Sequence, residues 1–325
     1  ALLRAYDWTS DENEVINAAA NGLLISNHSY GSDPDSVPVS MWGRYNGEAS
    51  AFDEIMFNAP YYQFVNSAGN SRNSGYNPDK DGYDLLSGKS NSKNGIIVAA
   101  VNQVSNYTGP SSVTMSSFSS WGPTDDGRIK PDICGKGVNV RSSTSNSDTS
   151  YQQLSGTSMS SPNVAGTLLL LQQHAKNVKG FFMRAATLRG LTLHTADEAG
   201  SDPGPDYRFG WGLMNAEKAA VLISKEGAES YIQENDLLQN NTYSFDVKPF
   251  NTTQPIVASI CWTDPAGARV FGAVDNPTPA LVNDLDLKVT APNSTVYLPW
   301  VLNHGPNATT LNANAQRLAD HLNNV

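Results

Sequence analysis

Gly156-Thr157-Ser158-Met159-Ser160-Ser161-Pro162, followed by Asn163-Val164-Ala165-Gly166 and then by Leu168 to Leu171, decides how the rest of the chain is read. Small residues and a glycine lead straight into a long apolar segment, with one proline in what would be its first turn. Proline is accepted there because first-turn amides have no intrahelical carbonyl to lose. Ser158 therefore falls at or just before a helix N-terminus, where free N–H groups and the helix dipole favour developing negative charge. A nucleophilic serine needs such a place. The other reading of a Ser-x-x-Ser-Pro start is a plain N-cap.

Working outward, Leu168–Leu171 makes the segment from Met159 to about His174 apolar on every side, which predicts a central buried helix. Upstream, Ile96–Val101 is a near-continuous apolar run, the pattern of a strand buried on both faces. Tyr61–Asn66 reads as the strand before it and leads into Ser67-Ala68-Gly69-Asn70. Leu23–Ser26 is a short buried strand ending in Asn27-His28-Ser29-Tyr30-Gly31. Ala1–Ala20 reads as a short strand and a helix capped by Ser10 or Asp11, with Glu14 in the first turn and Gly22 closing it. Ser50–Asn58 supplies another helix. Helices alternating with apolar strands predict an α/β fold with a parallel sheet. After Gly227 the texture changes to short alternating segments, with strands at Ile256–Trp262 and Leu285–Val289 and a turn at Pro292-Asn293. The division is thus residues 1–226, α/β, and residues 227–325, an all-β sandwich or jelly roll.

Composition narrows the function classes. The 325 residues are 39% hydrophobic and 16% charged, as in ordinary globular proteins with ample length for a core. A net charge of −10 argues against nucleic-acid or anionic-membrane partners. No apolar run reaches the roughly 18 residues of a membrane span, and Ala1 opens no signal peptide. Cys134 and Cys261 stand far apart and are read as free thiols. Six Asn-x-Ser/Thr sequons, at Asn27, Asn106, Asn240, Asn251, Asn293 and Asn307, matter only in a eukaryotic secretory pathway.

Residues 156–166, Gly-Thr-Ser-Met-Ser-Ser-Pro-Asn-Val-Ala-Gly, closely resemble the nucleophile motif of the subtilisin-like serine proteases, the subtilases, which usually carry His where Asn163 stands. Further blocks resemble the same family in the same order: Ser67–Asn70, Phe118–Pro123 with Lys130–Ile133, and Tyr207–Ala216. Cys261–Pro265 and Leu281–Leu287 resemble the β-barrel appended to one group of bacterial subtilases. The resemblance implies a subtilisin-like parallel sheet with helices on both faces, N-terminally incomplete, and a secreted serine endopeptidase acting on peptides or proteins without a required cofactor. It implies that Ser158 is the nucleophile and that the side-chain amide of Asn70 donates to the oxyanion. Ala68 and Gly69 would form one wall of the substrate pocket with Asn70, and Ser29, Tyr30 and Gly31 would pair with the substrate backbone as an added strand. Phe118–Pro123 would be structural.

Two parts of that pattern are missing. Subtilases carry Asp in Asp-Ser/Thr-Gly and His in His-Gly-Thr-His, and neither motif occurs here. The histidines are His28, His174, His194, His304 and His321. His174 lies sixteen residues along the helix from Ser158, about 24 Å away. His28 is nearest by topology and is read as structural. The expectation is a fragment of a longer protease, because both ends stop inside recognisable elements while Ser158 and Asn70 remain. The alternative is a non-catalytic peptide-binding or adhesion module. For calcium, Asn77–Gly82 imitates half an EF-hand loop, but Gly88 stands where its twelfth-position Glu belongs, so a solvated loop is preferred. Asp284 and Asp286 would share one strand face and offer a second calcium option beside a solvated reading.

Overall fold

The computed structural model describes residues 2–7, 9–251 and 253–325. Its centre is a four-stranded parallel sheet in the order β1 (Ile25–His28), β2 (Gln63–Ser67), β3 (Ile96–Val101) and β4 (Ile133–Lys136). Every residue of β2 and β3 is buried, which explains their apolar runs. Alternation divides β3 between two cores: Ile96 and Val98 face one layer, and Ile97 faces the other. Register is fixed by Val65 opposite Ile96 and Val98 opposite Ile133. The expected strands at 23–26 and 61–66 lie one or two residues later, because the parallel ladder, not the apolar run, sets where pairing ends. The expected strand near the N-terminus is not formed among described residues 2–7, where Leu2 and Leu3 are exposed without a neighbouring strand; Ala1 lies outside the described residues.

Helices cover both faces. On one, α1 (Asp11–Ala20) and α2 (Gly47–Asn58) enclose Val15, Phe52, Ile55, Met56, Phe64 and Ile97. Asn46 Oδ1 caps α2 by accepting from the Ala49 N–H at 3.1 Å, whereas the Ser10 side chain makes no capping bond to α1. On the other face lies α3 (Thr157–Lys179), with α4 (Ala185–His194) and α5 (Ala216–Ser224) behind it. Val164, Leu168, Leu171 and Ala175 of α3 pack on Ile25, Val65, Ile96, Val98 and Ile133, each leucine contributing about 2 kcal/mol by burial. The helix is not buried on every side as expected. Leu170 is 71% exposed, since four consecutive leucines wrap past the width of one packed face.

Residues 227–325 differ most from expectation. Among the described residues they hold only two-residue antiparallel pairs, β5 (Val289–Thr290) with β6 (Val296–Tyr297) and β7 (Trp300–Val301) with β8 (Gln316–Arg317), beside a short α6 (Ala308–Leu311). Neither 256–262 nor 285–288 forms a strand. Their polar groups find partners elsewhere, because this segment lies against the α/β layers. Lys93 Nζ donates to Asp264 Oδ2 at 2.5 Å, Pro265 O at 2.6 Å and Ala280 O at 2.8 Å, with both charged side chains fully buried. The Asp264 carboxylate also accepts from the N–H groups of Val282 and Asn283 at 2.9 and 2.8 Å. Arg189 on α4 donates to Trp262 O at 3.0 Å and Asn324 O at 3.1 Å. Alternating residues here serve docking onto another surface, not a sheet of their own.

Candidate active site

Ser158 is the second residue of α3, and two consequences follow from its neighbours. Gly156 precedes the helix in extended backbone, so the chain enters it without a side chain over the first amides. A Cβ there would stand 3.6 Å from Ser158 N and 3.7 Å from Asn70 Nδ2, so these two donors flank one small space. Pro162 is not in the first turn, because the helix begins at Thr157 and not at Met159. Its missing N–H would have bonded the carbonyl of Ser158 four residues back. That freed carbonyl accepts instead from Ser29 Oγ at 3.0 Å, while Ser158 Oγ donates to Ser29 O at 3.1 Å. The end of β1 and the start of α3 are thus joined by a reciprocal serine pair. A third bond, Ser161 Oγ to Asn27 Oδ1 at 2.7 Å, lies beside it.

Asn70 is oriented from the same helix start. Its Oδ1 accepts from the N–H and the Oγ1 of Thr157, both at 2.9 Å, so its Nδ2 faces the other way and bonds no described residue. The turn carrying it is held from two sides. Thr157 Oγ1 accepts from Gly69 N–H at 3.1 Å, and Ser120 Oγ accepts from Ser71 N–H at 3.1 Å. The Phe118–Pro123 segment is therefore a brace for the 67–71 turn. Ala68 points its methyl into the core beside Phe52 and Phe64, leaving backbone and Gly69 to line any pocket wall.

Tyr30 and His28 form a separate network. Tyr30 OH donates to Asp11 Oδ2 at 2.9 Å, and Lys89 lies 2.7 Å from the same carboxylate oxygen and 4.1 Å from the Tyr30 ring centre. His28 uses both ring nitrogens, at 2.8 Å to Ser26 Oγ and 2.7 Å to Tyr30 Oη, and is packed against Phe52 and Phe64. Burial first and the Lys89 charge second push its pKa down to about 4, against the opposing charge of Asp11. A neutral imidazole bonded on both sides is a structural group. His174 pairs with Ser224 and His194 with Ser259, so neither reaches Ser158.

A helix N-terminus bearing Ser158, facing an amide oriented from the helix's first residue, sits in a chain whose residues 6–212 match the profile of the subtilase family. The chain belongs to the subtilase family. Over 94 residues this subtilase is 48% identical to a C5a peptidase of Streptococcus pyogenes serotype M3, a stretch that is 29% of the chain and 7% of the relative. It is 34% identical over 143 residues to the subtilisin-like protease SBT3.2 of Arabidopsis thaliana, covering 38% of the chain and 19% of that protein. With the PI-type proteinase of Lactococcus lactis subsp. cremoris the figures are 27% over 191 residues, 56% and 10%. The chain thus spans less than a fifth of the length of each of these relatives. Among solved structures it matches the patellamide maturation protease PatA at 21% identity and a TM-score of 0.49, over 65% of the chain and 67% of that one. Among the described residues of this subtilase, no helix is long and apolar enough to cross a membrane.

Three contributors escape a reading of the sequence alone. Thr157 orients Asn70, and the only signal for it is its place between Gly156 and Ser158. Ser29 latches α3 through its side chain rather than only presenting backbone. Ser120 braces the Asn70 turn from a loop about fifty residues downstream. Of the two calcium options, Asn77–Gly82 forms a short helical turn that directs Asn77 and Lys80 inward to Asp84, so the loop is not simply solvated. Asp284 and Asp286 lie on no strand; with His321 they make an exposed group in which His321 Nδ1 is 2.7 Å from Asp284 Oδ2.

Proposed function

We propose that this chain is the nucleophile-bearing portion of a secreted subtilisin-like serine endopeptidase that cleaves peptide or protein substrates through an acyl-enzyme on Ser158. The observation that carries the reading is the orientation of Asn70. Its oxygen is held by Thr157, and its Nδ2 is left for charge that develops beside Ser158. The first-turn amide of Ser158 would be the second donor, supported by the helix dipole. Ser29, Tyr30 and Gly31 leave β1 next to the nucleophile, where an extended peptide would pair with their backbone. In this reading residues 1–226 are the catalytic portion and residues 227–325 an appended segment docked on its α/β layers. Among the described residues no histidine bonds Ser158. The test is peptide cleavage by the full-length gene product, expected to be abolished by Ser158→Ala. Cleavage that survives the substitution rejects Ser158 as nucleophile.

One observation favours a second reading, a module that grips an extended peptide without cutting it. The Ser158 hydroxyl donates to a backbone carbonyl and not to a base. That module predicts peptide binding by the full-length product, unchanged in Ser158→Ala, with no hydrolysis by either. Turnover by the parent protein rules it out.

A further inference from the structure

Away from Ser158, three stretches of chain bring carboxylates together: Asp84 after the 77–82 turn, Asp125 in the 122–127 turn, and Asp275 in the C-terminal segment. One oxygen of each lies within 4.8 Å of the other two. Asp84 is only 2% exposed. Its Oδ2 accepts from Lys80 Nζ at 3.1 Å and from Asn77 Nδ2 at 3.0 Å, but its Oδ1 has no partner, and neither oxygen of Asp125 has one. A buried carboxylate oxygen without a donor is costly, and three in one place repel each other as well. Of the nearby cations, Lys80 Nζ bridges Asp84 Oδ2 and Asp275 Oδ1 but leaves Asp84 Oδ1 and both Asp125 oxygens unpaired, while Arg44 Nη2 donates to the carbonyls of Gly272 and Ala273 at 2.9 and 3.1 Å. Gly43 closes the space. A Cβ on it would meet Asp84 Oδ1 at 2.4 Å and Asp125 Oδ1 at 2.5 Å, so the orphan oxygens converge where only a glycine leaves room.

We propose that Asp84, Asp125 and Asp275 bind a calcium ion that ties the C-terminal segment to the loops flanking β3. The donors are all oxygen and mostly charged, with no histidine or cysteine in the group, which selects a hard cation over zinc or copper. Ligands drawn from three loops suit the irregular six- to eight-fold shell of calcium better than the strict octahedron of magnesium. Calcium would supply the positive charge that the converging oxygens lack.

The test titrates calcium into the 325-residue chain by calorimetry and compares thermal midpoints in millimolar calcium and in chelator. The expected dissociation constant is about 10⁻⁵–10⁻³ M, with a midpoint several degrees higher in calcium. Asp125→Asn, which keeps the shape, should weaken binding at least about tenfold. Asp284→Asn should leave it unchanged. Asp275→Asn, at the rim, carries the same expectation if the buried variant does not fold. Binding lost in Asp284→Asn but retained in Asp125→Asn and Asp275→Asn overturns the assignment. So does a thermal midpoint that is indifferent to calcium.

Discussion

Asn70 shows how one side chain is oriented by the fold. Because Thr157 holds Oδ1 at 2.9 Å twice over, the amide cannot exchange its oxygen and nitrogen without breaking two bonds. If Asn70 donates to the oxyanion as proposed, Asn70→Ala in the full-length product should lower kcat by about 10²–10³ with little change in KM. Steady-state kinetics check this, and a loss confined to KM would make Asn70 a ground-state contact. His28 gives a prediction that this chain can answer alone. Its folded pKa of about 4 lies below the ordinary 6.5, so the unfolded state takes up the proton first. Stability is complete above about pH 6.5 and falls as pH drops toward 4. His28→Gln should flatten that acid limb in urea melts taken across the window. Ser158 and Asn70 stand out in the sequence because short motifs carry them, and the fold brings them to one helix start. Thr157, Ser29 and Ser120 were not, since a common polar residue gains its role only from what folding places opposite it.

At the level of the element, α3 is held at its N-terminus by a defect in its own ladder. Pro162 releases the Ser158 carbonyl and Ser29 Oγ takes it, so helix and sheet are joined by a bond the helix cannot use. Ser29→Ala should therefore cost about 1 kcal/mol in the native background. Pro162→Ala restores a donor four residues on and should stabilise α3 by up to about 3 kcal/mol. In the double variant the cost of Ser29→Ala should shrink toward zero, a coupling readable from a double-mutant cycle. Additive effects would mean that the carbonyl is not shared in this way. The helix itself, β2 and β3 were legible from apolar runs and from the abrupt change at Gly156. The place of Pro162 within α3 was not. It depends on whether the first helical residue is Thr157 or Met159, and neither propensity nor pattern separates the two.

Across the whole molecule the parallel sheet was legible and the C-terminal segment was not. Alternating residues at 256–262 are compatible with a strand, but also with a segment pressed on a surface that supplies donors such as Lys93 and Arg189. Those donors lie about 70 to 190 residues upstream of what they hold, beyond the reach of local pattern. Lys93→Met should destabilise the chain by about 3–5 kcal/mol, because Asp264 would remain buried without its cation. Pairing it with Asp264→Leu should recover much of that loss, measured by urea unfolding. For anyone shortening the gene, the same contacts move the practical end of the folded unit. A product stopped at residue 226 would expose Lys93 without Asp264 and its two carbonyl partners, and Arg189 without the carbonyls of Trp262 and Asn324. In such a trimmed protein water would solvate the two cations, and Tyr45 and Ala49, uncovered by the loss of Val270 and Ala280, would be the apolar groups to make polar.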